Sequence, residues 1–231
     1  MEYTRQQIID KCEDAFLDIK TFYQADIINY RGKTSDTEEY YTEVIAEFVC
    51  NNIDKYVSSI PMITRKASYR TASHLGKVPT SNRKEETIAI QMFNQSDKND
   101  YTYPFIGKII DYQTPLKSKK TDIAGKIDLL SFDGQTLYIL ELKKPDSTET
   151  MLRCVLEGFT YKQTVDNKKL LLNFELPIDT KIVASPLVFW GGIQHQEMKE
   201  SRKWLEKLMH LLDSKPYYVV SKNEMYCVTE E

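Results

Sequence analysis

Residues 126–144 read KIDLLSFDGQTLYILELKK, and the architecture follows from them. Two apolar runs, 126–132 and 136–143, flank the dipeptide Asp133-Gly134. Asp-Gly between such runs signals a hairpin, because glycine takes positive φ freely and aspartate bonds back to its own main chain. The runs alternate little, as strands covered on both faces do. Against that apolar background stand Asp128, near the start of the first run, and Glu141 and Lys143, near the end of the second. A hairpin sets those two places side by side, and residues two apart on a strand share a face. Two carboxylates and an ammonium therefore meet at one end of a sheet. Charges in apolar strands are costly unless something pairs with them, and a hard divalent cation suits carboxylate oxygens.

The segment upstream adds a fourth ionisable group. Residues 81–95, SNRKEETIAIQMFNQ, carry helical spacing, with Ser81 or Asn82 as cap and Ile88, Ala89, Met92 and Phe93 as apolar face. At about 100° per residue, Glu85 projects near the middle of that face and Glu86 toward its edge. A first-turn acid favours the helix dipole, which accounts for Glu86 better than for Glu85. A strand is expected over 105–113, ahead of the hairpin. Downstream, 148–166 reads as a helix with Met151, Val155, Leu156 and Phe159 inward, and 180–190 as a buried strand ended by Gly191-Gly192. Residues 195–213 read as one long amphipathic helix, and 216–221 as a last strand that 224–228 can pair with. At the other end, 3–30 reads as a helix and 37–58 as a second, with Thr37 or Asp36 as cap. Residues 62–80 are polar and broken by Gly76 and Pro79. This order predicts a mixed α/β fold with helices on both sides of one sheet, divided into an N-terminal helical region, 1–60, and a domain over 61–231.

Composition bounds the function. A chain of 231 residues, 41% hydrophobic and 28% charged, suits one sizeable core. Its apolar runs fall well short of the roughly 18 residues that span a bilayer. The N-terminus, MEYTRQQIIDKCEDAF, lacks a signal-peptide core, so a soluble, cytoplasmic protein is expected. Cys12, Cys50, Cys154 and Cys227 are scattered without a CxxC pair and read as reduced thiols. No phosphate-binding glycine pattern and no nucleophile elbow occurs, and His74, His195 and His210 share no ligand spacing. The net charge of −3 hides a division: 6 basic against 12 acidic residues over 1–60, 12 against 6 over 61–127, and 13 against 16 beyond. The basic middle includes Arg65, Lys66, Arg70, Lys77, Arg83, Lys84, Lys117, Lys119, Lys120 and Lys126. That distribution suits a polyanion approaching one face, or a plain solvated surface.

Glu85 (or Glu86) on the leading helix, Asp128, and the tripeptide Glu141-Leu142-Lys143 carry a resemblance. With the order helix–strand–strand–strand–helix–strand over roughly 81–190, the chain resembles the PD-(D/E)xK nuclease superfamily, which has the restriction-endonuclease-like fold. It departs from the name motif in having Ile127, not proline, before Asp128. The resemblance implies a metal-dependent nuclease using Mg²⁺, with Mn²⁺ able to substitute, that hydrolyses phosphodiester bonds in DNA. In that reading Asp128, Glu141 and the main-chain carbonyl of Leu142 hold the ion, Glu85 reaches it through water, and Lys143 assists the attacking water. Such a metal lowers the pKa of bound water and steadies charge on the scissile phosphate. The superfamily often places phosphate-binding groups on the helix after the third strand. Arg153, Glu157 and Tyr161, spaced i, i+4, i+8, with Lys162 and Gln163 beside them, are the matching candidates, together with Lys126 on the first hairpin strand. An exposed helix face with an i,i+4 ion pair accounts for these five helix residues at least as well. Two other functions stay open: a nucleic-acid-binding module of the same fold without catalysis, and an assembly protein using the acidic N-terminal helices. Those helices can serve as a dimerisation arm, a lid or a docking surface, so a homodimer is among the arrangements allowed.

Overall fold

The computed structural model describes residues 2–72, 74–77, 84–117, 125–222 and 225–230. The caps expected at Ser81 or Asn82 and the basic side chains of Arg83, Lys119 and Lys120 lie outside the described residues. Six strands form one sheet in chain order: β1 (Lys108–Pro115), β2 (Lys126–Phe132), β3 (Thr136–Leu142), β4 (Lys181–Phe189), β5 (Tyr217–Lys222) and β6 (Met225–Thr229). β1, β2 and β3 are antiparallel neighbours, β3, β4 and β5 run parallel, and β6 returns antiparallel on β5. Parallel neighbours need long crossovers. α5 (Met151–Thr164) and α6 (Asn167–Asn173) supply the first, and α7 (Ile193–Lys199) and α8 (Lys203–Leu211) the second. Ahead of the sheet lie α1 (Arg5–Ala15), two tight 3-10 stretches (Phe16–Gln24 and Asp26–Asn29), α2 (Tyr41–Asn51), α3 (Ile53–Ser59) and α4 (Lys84–Asn99).

The hairpin forms as its sequence predicts. Gly134 sits at φ +104°, and Asp133 Oδ1 accepts from the amides of Gln135 at 2.8 Å and Thr136 at 2.7 Å. The ladder runs from Phe132↔Leu137 to Leu129↔Leu140, which makes Asp128 and Glu141 the next facing positions.

Two apolar layers sandwich the sheet. On one side Ile127, Leu130, Leu137 and Ile139 pack under Leu152, Val155, Leu156 and Phe159 of α5. Ile8, Phe16, Phe22, Val44, Ile45 and Tyr56 of the N-terminal helices and Leu205 and Leu208 of α8 continue the same core. On the other side Leu129, Leu140, Leu142 and Leu187 pack under Ile88, Ala89, Met92 and Phe93 of α4. Each such side chain, fully buried, contributes about 1.5–3 kcal/mol. The sheet is thus held from both faces, and its charged end lies between α4 and α5.

Several boundaries differ from the sequence reading. The first strand begins at Lys108 rather than 105, because Phe105 at φ +68° and Gly107 at φ +76° turn the chain before it. The helix expected over 3–30 ends at Ala15, and Asp18 is non-helical at φ −122°, ψ 77°. The second helix starts at Tyr41, so neither Asp36 nor Thr37 caps it; the Thr37 hydroxyl bonds instead to Thr34 and Glu39. The helix expected over 195–213 is two helices. Glu43 of α2 accepts the amides of Trp204 at 2.8 Å and Leu205 at 2.9 Å, which starts α8 afresh with a cap lent by another element. Among the described residues no helix is long and apolar enough to cross a membrane, and all four cysteines are free.

Candidate active site

Glu141 and Lys143 sit at the end of β3 on the side facing α5, 4% and 5% exposed. α5 crosses directly above: a Cβ on Gly158 would touch the Cβ of Glu141 at 3.5 Å. Lys143 Nζ is 2.7 Å from Glu141 Oε1, 2.7 Å from Glu149 Oε2 and 3.4 Å from Glu157 Oε2. Glu157 in turn accepts from Arg153 Nε at 3.2 Å and from the Tyr161 hydroxyl at 2.8 Å. Arg153, Glu157 and Tyr161 thus line the inner face of α5; Glu157 and Tyr161 are buried. The solvated-face alternative for these three does not hold.

Asp128 is half-buried on β2. Its Oδ2 accepts from the Leu142 amide at 3.0 Å and its Oδ1 from Gln113 Nε2 at 2.9 Å. The peptide of Leu142 therefore meets Asp128 through its N–H. Gln113 lies at φ +48°, a left-handed conformation that costs free energy in a residue with a side chain. Nearby, the β1–β2 register shifts between Ile109 and Asp111. Such irregularities re-aim side chains. From the opposite side of the sheet, Glu85 in the first turn of α4 accepts the Lys144 amide on Oε1 at 3.2 Å. The Lys144 ammonium turns away to Asp146, 3.7 Å off. Glu86, next to it on α4, is near enough to the Tyr112 hydroxyl of β1 for its charge to add to the upward push that burial gives that group.

The charges do not balance. Five carboxylates (Glu85, Asp128, Glu141, Glu149 and Glu157) are linked by these contacts and their mutual fields to two cations, Lys143 and Arg153. Burial, aided by the like charges of Glu157 and Glu85, pushes the Asp128 carboxyl up to about 7 despite Lys143 and the Leu142 amide. Burial, Glu157 and Asp128 likewise raise Glu141 well above the usual carboxylate range. Burial alone would pull the Lys143 ammonium down, but Glu141, Glu157 and Glu149 outweigh it and hold the group firmly protonated. Glu157 is held below its ordinary value, because Lys143, Arg153 and the Tyr161 hydroxyl overcome the effect of its burial. Asp128 and Glu141 are therefore the two carboxyls that most readily take up a proton, or a cation in its place.

Among the described residues no group of three or more His, Cys, Asp or Glu side chains is arranged to hold an ion. Asp128 and Glu141 present hard oxygen donors in a cluster short of positive charge, which is the kind of site that Mg²⁺ fits. In this geometry the amides of Gln113 and Leu142 and the Lys143 ammonium occupy those oxygens.

The remaining candidates lie apart. Lys126 is exposed opposite Pro115 at the start of β2. Lys162 is pulled down by burial and feels Asp213 and Lys181, at the far end of β4 from Lys143. Gln163 is half-buried in the last turn of α5. His74 pairs with the buried Asp111 at 2.6 Å on the edge strand β1. Sequence reasoning missed Glu149 and Gln113. The first lies in a loop, where periodicity carries no information, and the second owes its aim to a backbone conformation that no residue type announces.

Comparisons with models of protein families, with curated proteins and with solved structures find no match to this chain.

Proposed function

We propose that this chain is a metal-dependent nuclease with a restriction-endonuclease-like core that hydrolyses phosphodiester bonds in DNA. The observation that carries the reading is the meeting of Asp128, Glu141 and Lys143 at one end of β2 and β3, the two carboxyls raised by burial and neighbouring like charges and the lysine kept protonated. Perturbed groups of that kind cluster where chemistry is done. Asp128 and Glu141 would hold a Mg²⁺ ion, with Glu85 oriented toward the same end from the α4 side. Bound there, the ion would supply Lewis acidity toward a phosphoryl oxygen and a lowered pKa for coordinated water.

The chain's own residues supply the rest. Lys143, held cationic, suits hydrogen bonding to a non-bridging phosphate oxygen or to the attacking water, stabilising charge that builds in the transition state. Its protonation argues against a role as general base. Glu157, fixed by Arg153 and Tyr161, and Glu149 hold the ammonium in place until substrate competes for it. Gln113 and the Leu142 amide fix the Asp128 carboxylate. The test is incubation of purified protein with labelled single-stranded, duplex and branched DNA and with RNA, with Mg²⁺, Mn²⁺ or EDTA. Cleavage that needs the metal and disappears in Asp128→Asn and Lys143→Met supports the reading. Intact substrates throughout would sink it.

A further inference from the structure

We infer that Trp190 is a stacking platform for a base of single-stranded nucleic acid, set beside the carboxylate–lysine cluster; the inference rests on the nuclease reading above. β3 and β4 run parallel, and the Lys143 amide donates to the Leu187 carbonyl at 3.0 Å. The register pairs Leu142 with Leu187, so Lys143 is level with Val188 and Trp190 lies two residues, about 7 Å, further along the strand direction. Trp190 follows the end of β4, and its ring meets that of Tyr218, which belongs to the core shared with α5, the side of Glu141 and Lys143. The loops leaving the two strands also come close: a Cβ on Gly192 would lie 3.7 Å from the Pro145 carbonyl oxygen.

The indole is 45% exposed but is not loose. Its ring lies 4.1 Å from that of His195 and meets Tyr218 edge-on at 5.9 Å. His195 is itself buried, and its Nδ1 accepts the Gly191 amide at 3.0 Å. The Trp190 amide donates to the Val219 carbonyl at 3.0 Å, so the main chain is fixed as well. A ring held this way loses little freedom when a ligand stacks on it. Lys199 Nζ stands 5.6 Å from the ring centroid and adds positive charge. The acids beside it are committed elsewhere: Glu197 accepts the Met151 amide at 2.7 Å, and Glu200 pairs with Arg202 at 2.7 Å. A half-exposed indole with an ammonium over its ring matches a nucleobase with its phosphate. A duplex hides its base faces in the stack, so the ligand is a single strand or a frayed end.

The test uses the full chain in EDTA, so that binding is read without turnover. Trp204→Phe leaves Trp190 as the sole tryptophan of the two, and its emission is followed during titration with a ten-nucleotide oligo(dT). Affinities come from anisotropy of labelled oligo(dT) and of a duplex of equal length. The expected results are quenching by the single strand, a loss of about tenfold or more in its affinity in Trp190→Ala, and retention within about threefold in Trp190→Phe. Duplex affinity stays the same in all three. Lys199→Glu keeps the ring and weakens oligo(dT) binding, with a shallower salt dependence. If Trp190→Ala binds oligo(dT) like its parent, or if the parent's emission is not quenched, the platform is wrong and the indole face belongs to a protein partner, while the cleavage assay still decides the nuclease reading. If the parent binds neither single strand nor duplex and cuts nothing, both fall together.

Discussion

Lys143→Met removes the ammonium that three carboxylates share. The lysine side chain is 7% exposed, and its closest partner, Glu141, is 5% exposed. Deleting one member of such a buried pair leaves the other uncompensated and costs about 3–5 kcal/mol. Glu149, at 31% exposure, regains much of its solvation, and Glu157 keeps Arg153, so the loss belongs mainly to Glu141 and falls at the lower end, about 3 kcal/mol. The sign with pH follows. Lys143 opposes the rise of the Glu141 carboxyl, so without it the folded protein binds a proton at Glu141 more tightly than the wild type does. Lowering the pH therefore relieves the variant, and its deficit is larger at pH 8 than at pH 5. Glu141→Gln added to Lys143→Met removes the stranded charge and restores stability to within about 1.5 kcal/mol of the wild type. Urea unfolding followed by circular dichroism at both pH values measures all three proteins. A Lys143→Met deficit below about 0.5 kcal/mol at pH 8, or one that grows as the pH falls, would refute the placement of Lys143 among buried carboxylates.

Other outcomes follow from the same geometry. The Asp128 carboxyl, pushed from 3.8 up to about 7 in the fold, takes up protons more readily folded than unfolded, so its contribution to stability declines as pH rises from about 4 to about 7 and is level above. Asp128→Asn abolishes that decline and gains up to about 4 kcal/mol on the wild type at pH 8; parallel stability–pH curves for the two proteins would count against it. Gly158→Ala places a methyl at ordinary contact distance from Glu141 and gains about 0.5–1 kcal/mol of helix propensity in α5, which thermal unfolding reads. Glu43→Ala frees two amides of α8 and costs about 1–2 kcal/mol, with α8 losing hydrogen-exchange protection before the sheet does.

The hairpin was legible because its signals are local. Asp133-Gly134 and two apolar runs set strand limits and register, and register alone brings Asp128 opposite Glu141. The apolar face of α4 and the mixed sheet with helices on both sides were legible for the same reason: periodicity reports burial directly. What failed depends on partners distant in sequence. No glycine or proline marks the break between α7 and α8, because the cap that restarts the helix belongs to Glu43 on α2. Sequence alone leaves the α5 face of Arg153, Glu157 and Tyr161 open between site residues and a solvated ion-pair row, and the buried contact of Glu157 with Lys143 removes the second. Glu149 reaches the same ammonium from a loop. Gln113 reaches Asp128 through a positive φ that residue type does not encode.

The central claim is that Asp128 and Glu141 hold a divalent cation, and Mn²⁺ soaked into crystals of the wild-type protein near pH 8 tests it most directly. The account predicts an anomalous peak between the two carboxylates, with Glu141 turned from Lys143 toward the ion, and no peak in Asp128→Asn. Crystals that show no peak there, with Lys143 still seated on Glu141, would contradict it.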